Sequence, residues 1–107
     1  MNRTPASRLL SSALACLAMH SLPSVAVTNP SEEGRRLYHA ACAMCHGAEL
    51  KAAGGIPDLR RTGLDDKAFQ AVVKEGRAGT IMPSMKARLS DEEIRKIRAY
   101  VRSAASE

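Results

Sequence analysis

Cys42-Ala43-Met44-Cys45-His46 limits what this chain can fold into more than any other stretch. Two cysteines three positions apart, followed at once by a histidine, form the pattern that attaches a c-type haem. Each thiol can form a thioether with one haem vinyl group, and the adjacent histidine is placed to bind the iron axially. The chain is then obliged to wrap a porphyrin.

Other chemistries of paired cysteines fit less well. A structural zinc site takes about four Cys/His ligands, usually as two separated pairs. No second pair exists, because His20 and His39 are not spaced as one. A redox dithiol normally caps a helix after a strand of a βαβ unit, and no run of β-branched and aromatic residues precedes Cys42. Cys16 lies in a leader-like segment and adds nothing to either.

Residues 1–26 read as a secretory signal. Arg3 and Arg8 give a basic start, Leu9 to Met19 a mostly apolar stretch, and Ser24-Val25-Ala26 small residues for cleavage after Ala26. The apolar stretch is too short to cross a hydrocarbon layer of roughly 30 Å, so no stable membrane insertion is expected. A lipoprotein signal ending at Cys16 is disfavoured by Ala13 three positions earlier. Export to the periplasm suits thioether attachment, which takes place beyond the cytoplasmic membrane.

Residues 27–107 then form one small domain of 81 residues. A chain this short commonly needs a staple, yet no tryptophan and a single phenylalanine are available. A buried porphyrin supplies the missing apolar mass. The charge of +5 falls to +3 without Arg3 and Arg8. The longest basic run is Arg60-Arg61, with no interleaved aromatics, and no nucleic-acid partner is expected.

Three helices are predicted. The first spans Pro30 to Ala41, capped by Asn29, with Pro30 at the first position and Glu32 completing a capping box. Gly34, Leu37 and Tyr38 share one face of it. The second runs from Asp65 to Glu75 with Gly76 as C-terminal cap. The third follows Ser90, with Glu93 as its return partner, and continues to Ala104 on a stripe of Ile94, Ile97 and Val101. Gly47–Gly63 and Arg77–Leu89 read as loops, and no strand candidate survives. Loops this long in so small a domain are expected to wrap a ligand.

The axial position opposite His46 falls to Met82 or Met85. A thioether sulfur is a soft donor that favours Fe(II) and raises the potential. Pro83 stiffens the backbone beside Met82, whereas Met85 could be a flexible core filler. Met44 sits in the attachment turn and His39 on the first helix; both read as surface residues.

These residues together resemble the class I cytochrome c family. The likeness covers Gly34-x-x-x-Tyr38, Cys42 to Gly47, Pro57-Asp58-Leu59, Met82-Pro83 and Ile97-x-x-Tyr100-Val101. Gly55 to Arg60, Phe69-x-x-Val72-Val73-x-x-Gly76 and Leu89-Ser90 are also similar to the small cytochrome domain of some quinohaemoprotein alcohol dehydrogenases. The resemblance implies an all-α fold, three or more helices wrapped around one covalent haem c (heme c) held through Cys42 and Cys45, with His46 and Met82 on the iron. It also implies that the first and last helices cross, with Gly34 close to the Tyr100 region. The Pro57 carbonyl would accept the His46 Nδ1 proton, Leu59 would pack on the haem, and Arg60 would meet a propionate.

The expected function is a periplasmic single-haem electron carrier and not an enzyme, since the account contains no catalytic acid, base or nucleophile. Its partners would be a dehydrogenase or membrane donor and a terminal oxidase or reductase. A cytochrome subunit held within a dehydrogenase or oxidase complex is the alternative. A haem-based sensor would need a weak or missing sixth ligand, which the Met82-Pro83 arrangement opposes.

Overall fold

In the computed structural model, which describes residues 15–24 and 28–106, three capping side chains mark where the longer helices begin. Asn29 Oδ1 accepts from the Ser31 amide (3.0 Å), Asp65 Oδ1 from the Ala68 amide (2.7 Å) and Ser90 Oγ from the Glu93 amide (3.1 Å). Each satisfies a donor that the first helical turn leaves without a partner. The helices are α1 (Pro30–Ala41), α2 (Ala43–His46), α3 (Asp66–Glu75) and α4 (Asp91–Ala105), with a 3₁₀ turn at Leu59–Arg61. The fold is all-α, and no strand occurs among the described residues.

The start of α4 carries the expected reciprocal pair, with Ser90 N donating to Glu93 Oε2 at 2.7 Å. The start of α1 does not. There Glu32 accepts instead from Arg35, one turn along, at 3.1 Å. An ion pair on the exposed face outcompetes a return to the cap.

α1 and α4 cross where Gly34 meets the backbone of Lys96 and Ile97. A Cβ on Gly34 would collide with the Lys96 carbonyl, so glycine is required for this approach. The close point is therefore one turn before Tyr100, and Tyr100 instead packs beside Tyr38, with ring centroids 5.5 Å apart. Below the crossing, Tyr38, Ile94, Ile97 and Val101 are buried to within 1 % of complete. Such burial is worth about 1.5–3 kcal/mol for each large apolar side chain. Lys96 also reaches across the crossing to Glu33 at 3.0 Å.

α3 lies against α4 through Phe69 and Val73, both 5 % exposed. Arg98 covers the Phe69 ring, with its guanidinium carbon 5.2 Å from the ring centre, and donates to the Leu64 carbonyl at 2.9 Å. Gln70 Nε2 donates to the Asp91 carbonyl at 3.0 Å. These contacts fix the start of α4 relative to α3.

Ala15–Ser24 has no regular secondary structure, with Leu17, Met19 and Leu22 exposed. The rest of the expected leader, including the cleavage point after Ala26, lies outside the described residues. Among the described residues no helix is long and apolar enough to cross a membrane.

Two expectations follow. Gly34→Ala should lower stability by roughly 1–3 kcal/mol in urea unfolding, since overpacking at the crossing outweighs a helix-propensity gain of about 1 kcal/mol. Burial, with lesser effects of Cys42 and Tyr100, raises the Tyr38 hydroxyl pKa from 10.0 to about 12. The folded state then holds a proton that the unfolded chain releases, so the contribution is complete below pH 10.0 and fades as pH rises toward about 12. Urea midpoints followed through that window should fall less steeply in Tyr38→Phe than in the unmodified protein.

Candidate functional site

The cysteine–histidine motif sits where α1 ends and a new turn begins. The Cys42 amide still donates to the Tyr38 carbonyl (2.8 Å), while the Cys42 carbonyl accepts from Cys45 (3.2 Å) and His46 (2.9 Å). Cys45 and His46 thereby lie on one short helical turn, α2, with Cys42 as its cap, where the sequence alone implies only an attachment turn. Gly47 closes it at φ 82°, a left-handed conformation that glycine adopts without steric cost. A side chain there would also strike the Lys51 carbonyl.

Two interactions hold this turn. The Tyr38 hydroxyl donates to the Gly47 carbonyl at 2.5 Å. Leu50, 2 % exposed, takes φ 66°, and its carbonyl accepts from the Leu59 amide at 2.9 Å. Left-handed backbone at a non-glycine residue costs about 1–3 kcal/mol and persists only where packing over-determines it. Burial of the Leu50 side chain does that. Nothing in the sequence marked Leu50, because a leucine carries no turn signal.

The motif opens onto a cavity of about 630 Å³, within the range that holds a cofactor. Cys42, Cys45 and His46 are among its lining residues, as are Met82, Pro83 and Met85. Phe69, Val73, Ile97 and Val101 supply an apolar floor from α3 and α4, and Leu59 and Pro57 close a further side. Six of the seven expected site residues meet here. Arg60 does not: it turns to a separate polar depression beside Glu49 and Tyr100. There it grips Asp58 through two nitrogens, at 3.0 and 2.8 Å. That bond holds the Asp58 carboxyl down at about 2. Arg61 and Arg77, which sequence reading did not single out, line the apolar cavity in its place.

The expected bond from His46 Nδ1 to the Pro57 carbonyl is not formed, and Nδ1 is buried with no partner. A buried polar nitrogen left unsatisfied costs about 1–3 kcal/mol. Burial also lowers the His46 pKa, favouring the neutral imidazole whose lone pair a metal can use. Burial, and then the nearby Cys45, push the Cys42 thiol up to about 11.

The two methionines differ in their surroundings. Met85 is 5 % exposed and built into the core, with its amide donating to the Val73 carbonyl at 3.0 Å. Met82 is half-buried on the loop. His39 is exposed, as expected for a surface residue, and Met44, expected to be half-exposed, is 97 % exposed.

Among the described residues no cluster of three or more His, Cys, Asp or Glu could hold a bare metal ion. Two thiols, one imidazole and two thioethers around an apolar cavity instead suit a flat, apolar group that brings most of its own metal ligands. The residues present fit a haem.

Comparison with known proteins agrees. The family described as "Cytochrome C oxidase, cbb3-type, subunit III" matches residues 29–101. Quinohemoprotein alcohol dehydrogenase ADH IIB of Pseudomonas putida is 35% identical over 83 residues, covering 76% of this chain and 12% of that protein. Cytochrome c550 of Pseudomonas aeruginosa is 41% identical over 78 residues, covering 67% of this chain and 54% of that one. Cytochrome c6 of Leptolyngbya boryana is 31% identical over 74 residues, covering 64% of this chain and 85% of its own length. The chain thus spans about half of the cytochrome c550 and a small part of the dehydrogenase.

Acid-acetone extraction of the denatured holoprotein should leave the chromophore on the peptide containing Cys42 and Cys45. Replacing either cysteine should leave a single, weaker link, and replacing both should leave little stable holoprotein, as read by haem staining and mass.

Proposed function

This chain belongs to the class I cytochrome c family, and we propose that it is the haem c component of a dehydrogenase or oxidase electron-transfer system of the periplasm. The observation that carries the reading is the convergence of Cys42, Cys45, His46 and Met82 on one apolar cavity. Haem c, when bound, supplies a one-electron Fe(III)/Fe(II) couple.

The chain's own residues account for the rest. Cys42 and Cys45 would anchor the group covalently. His46 would hold the iron through a ring nitrogen and Met82 through its sulfur, offered from a half-buried position, while Met85 stays committed to the core. Phe69, Val73, Ile97 and Val101, which line the cavity, would keep water from the centre, and Leu59 would pack against it. Arg61 and Arg77 are better placed than Arg60 for the carboxylates of the group. With His46 and Met82 both bound to the iron, no site would remain for a substrate, which supports electron transfer over catalysis. The domain would comprise residues 27–107, released from a signal at residues 1–26.

The matching family is named for an oxidase subunit, and a dehydrogenase is among the similar proteins. Both favour a cytochrome held to a partner complex over a freely diffusing carrier. Cytochrome c6, covered over 85% of its length, supports the free carrier as the second reading. Size-exclusion chromatography of native periplasmic and membrane extracts distinguishes them. Haem staining should travel with dehydrogenase or oxidase activity at high mass; a single small haem-staining species would favour the free carrier.

Met82→Ala should abolish the weak red-edge absorption band that sulfur ligation gives ferric haem, lower the potential and open the iron to carbon monoxide. Met85→Ala should keep the band and cost roughly 2–5 kcal/mol of stability by leaving a core cavity. The reverse pattern assigns Met85 as ligand. An unmodified protein lacking the band and binding carbon monoxide readily would favour the sensor.

A further inference from the structure

We propose that the C-terminal end of α3, through Gly76 and the carbonyls of Val73 and Lys74, is the seat that positions Met82 as a ligand. The proposal rests on the assignment of Met82 to the iron. Gly76 and Ser84 are positioning residues in it, since neither would touch the iron.

The last four carbonyls of a helix have no partner within it. At the end of α3 the chain supplies its own acceptor sites to the methionine loop. The Val73 carbonyl accepts from the Met85 amide at 3.0 Å, and the Lys74 carbonyl accepts from the Ser84 hydroxyl. Just past the helix, the Arg77 amide donates to the Met82 carbonyl at 3.2 Å. The Met82 amide in turn donates to Thr80 Oγ1 at 3.2 Å, and that hydroxyl donates to the Arg77 carbonyl at 2.8 Å. Met82 is thus tied at its own amide and carbonyl, and again two and three residues later.

Gly76 is what lets the two segments touch. Its φ of 73° is left-handed, and a Cβ there would lie 2.7 Å from the Pro83 carbonyl carbon, 2.8 Å from the Met82 oxygen and 2.8 Å from the Ser84 nitrogen. All three atoms are backbone and belong to the ligand segment, so relief requires moving that segment as a body. Gly79, in the same loop, offers a matched contrast: its φ is 75° with nothing within 4 Å of an added Cβ. Alanine at either position meets a similar torsional penalty. Only at Gly76 does it push on Met82.

The experiment compares holoprotein carrying Gly76→Ala, Gly79→Ala, Ser84→Ala and Ser84→Thr with the unmodified protein and Met82→Ala. The readouts are the ferric red-edge band, reduction potential and carbon monoxide binding rate, with thermal unfolding alongside. Gly76→Ala should weaken or lose the band, lower the potential and speed carbon monoxide binding, while Gly79→Ala keeps all three near those of the unmodified protein. Ser84→Ala should speed carbon monoxide binding by roughly three- to tenfold, the effect of losing one neutral hydrogen bond, and Ser84→Thr should restore it. An unchanged band, potential and binding rate in Gly76→Ala overturns the proposal, as does equal weakening in Gly79→Ala. If Gly76→Ala yields no folded holoprotein, the serine pair decides, and Ser84→Ala matching the unmodified protein overturns it. A band absent from the unmodified protein, or retained in Met82→Ala, instead refutes the ligand assignment, and the proposal falls with it.

Discussion

The contact between Gly34 and the Lys96 carbonyl sets the distance between α1 and α4, and the positions of most other groups follow from that distance. Because the backbones touch, Tyr38 one turn later lies inside the core, fully buried against α4. A buried hydroxyl needs an acceptor, and the Gly47 carbonyl provides it. Gly47 directly follows His46, so the helix crossing and the orientation of the cofactor turn are joined through one side chain. The same crossing exposes Ile97 and Val101 to the cavity as its floor.

The cavity wall is assembled from segments far apart in sequence, and each is fixed by backbone hydrogen bonds rather than by surface charge. α2 hangs from the end of α1, the Leu59 segment from Leu50, and the methionine loop from the end of α3. Ion pairs such as Lys74–Asp91 and Lys86–Glu75 lie on the outside, where each contributes about 0–1 kcal/mol. Positioning of the cavity-lining segments therefore owes little to ionic strength. What distinguishes the site chemically is the gathering of sulfur side chains and one imidazole in apolar surroundings.

Features that depend on neighbours along the chain were legible in the sequence. Asn29 and Ser90 cap their helices as the sequence implies, Gly76 ends α3, and the Ile94–Ile97–Val101 stripe is buried, while Asp65, expected as the first residue of α3, is its cap instead. The motif residues and both methionines do converge on one cavity. Features decided by competition among distant or equally near partners were not legible. Glu32 had a cap and Arg35 within reach, and took Arg35. Arg60 had a carboxylate two residues away in Asp58, and that short-range pair turned it from the cavity. Adjacent Arg61, next on the 3₁₀ turn, lines the cavity. The left-handed Leu50 was invisible because its strain is offset by burial, a quantity that no local pattern encodes.

The bond from Leu59 to Leu50 has a consequence for how such a chain can change over time. It pins both ends of the intervening segment at one point, so the residues between behave as a loop tied at the neck. Gly54 and Gly55, at its tip, have nothing within 4 Å of an added side chain. Lengthening a loop closed in this way costs only about 0.6 kcal/mol for each doubling. Both glycines also line the cavity, so the tip is a place where insertions can accumulate while α2, the apolar floor and the methionine loop keep their places, and where descendants of one ancestral chain can come to display different surfaces beside the same cavity.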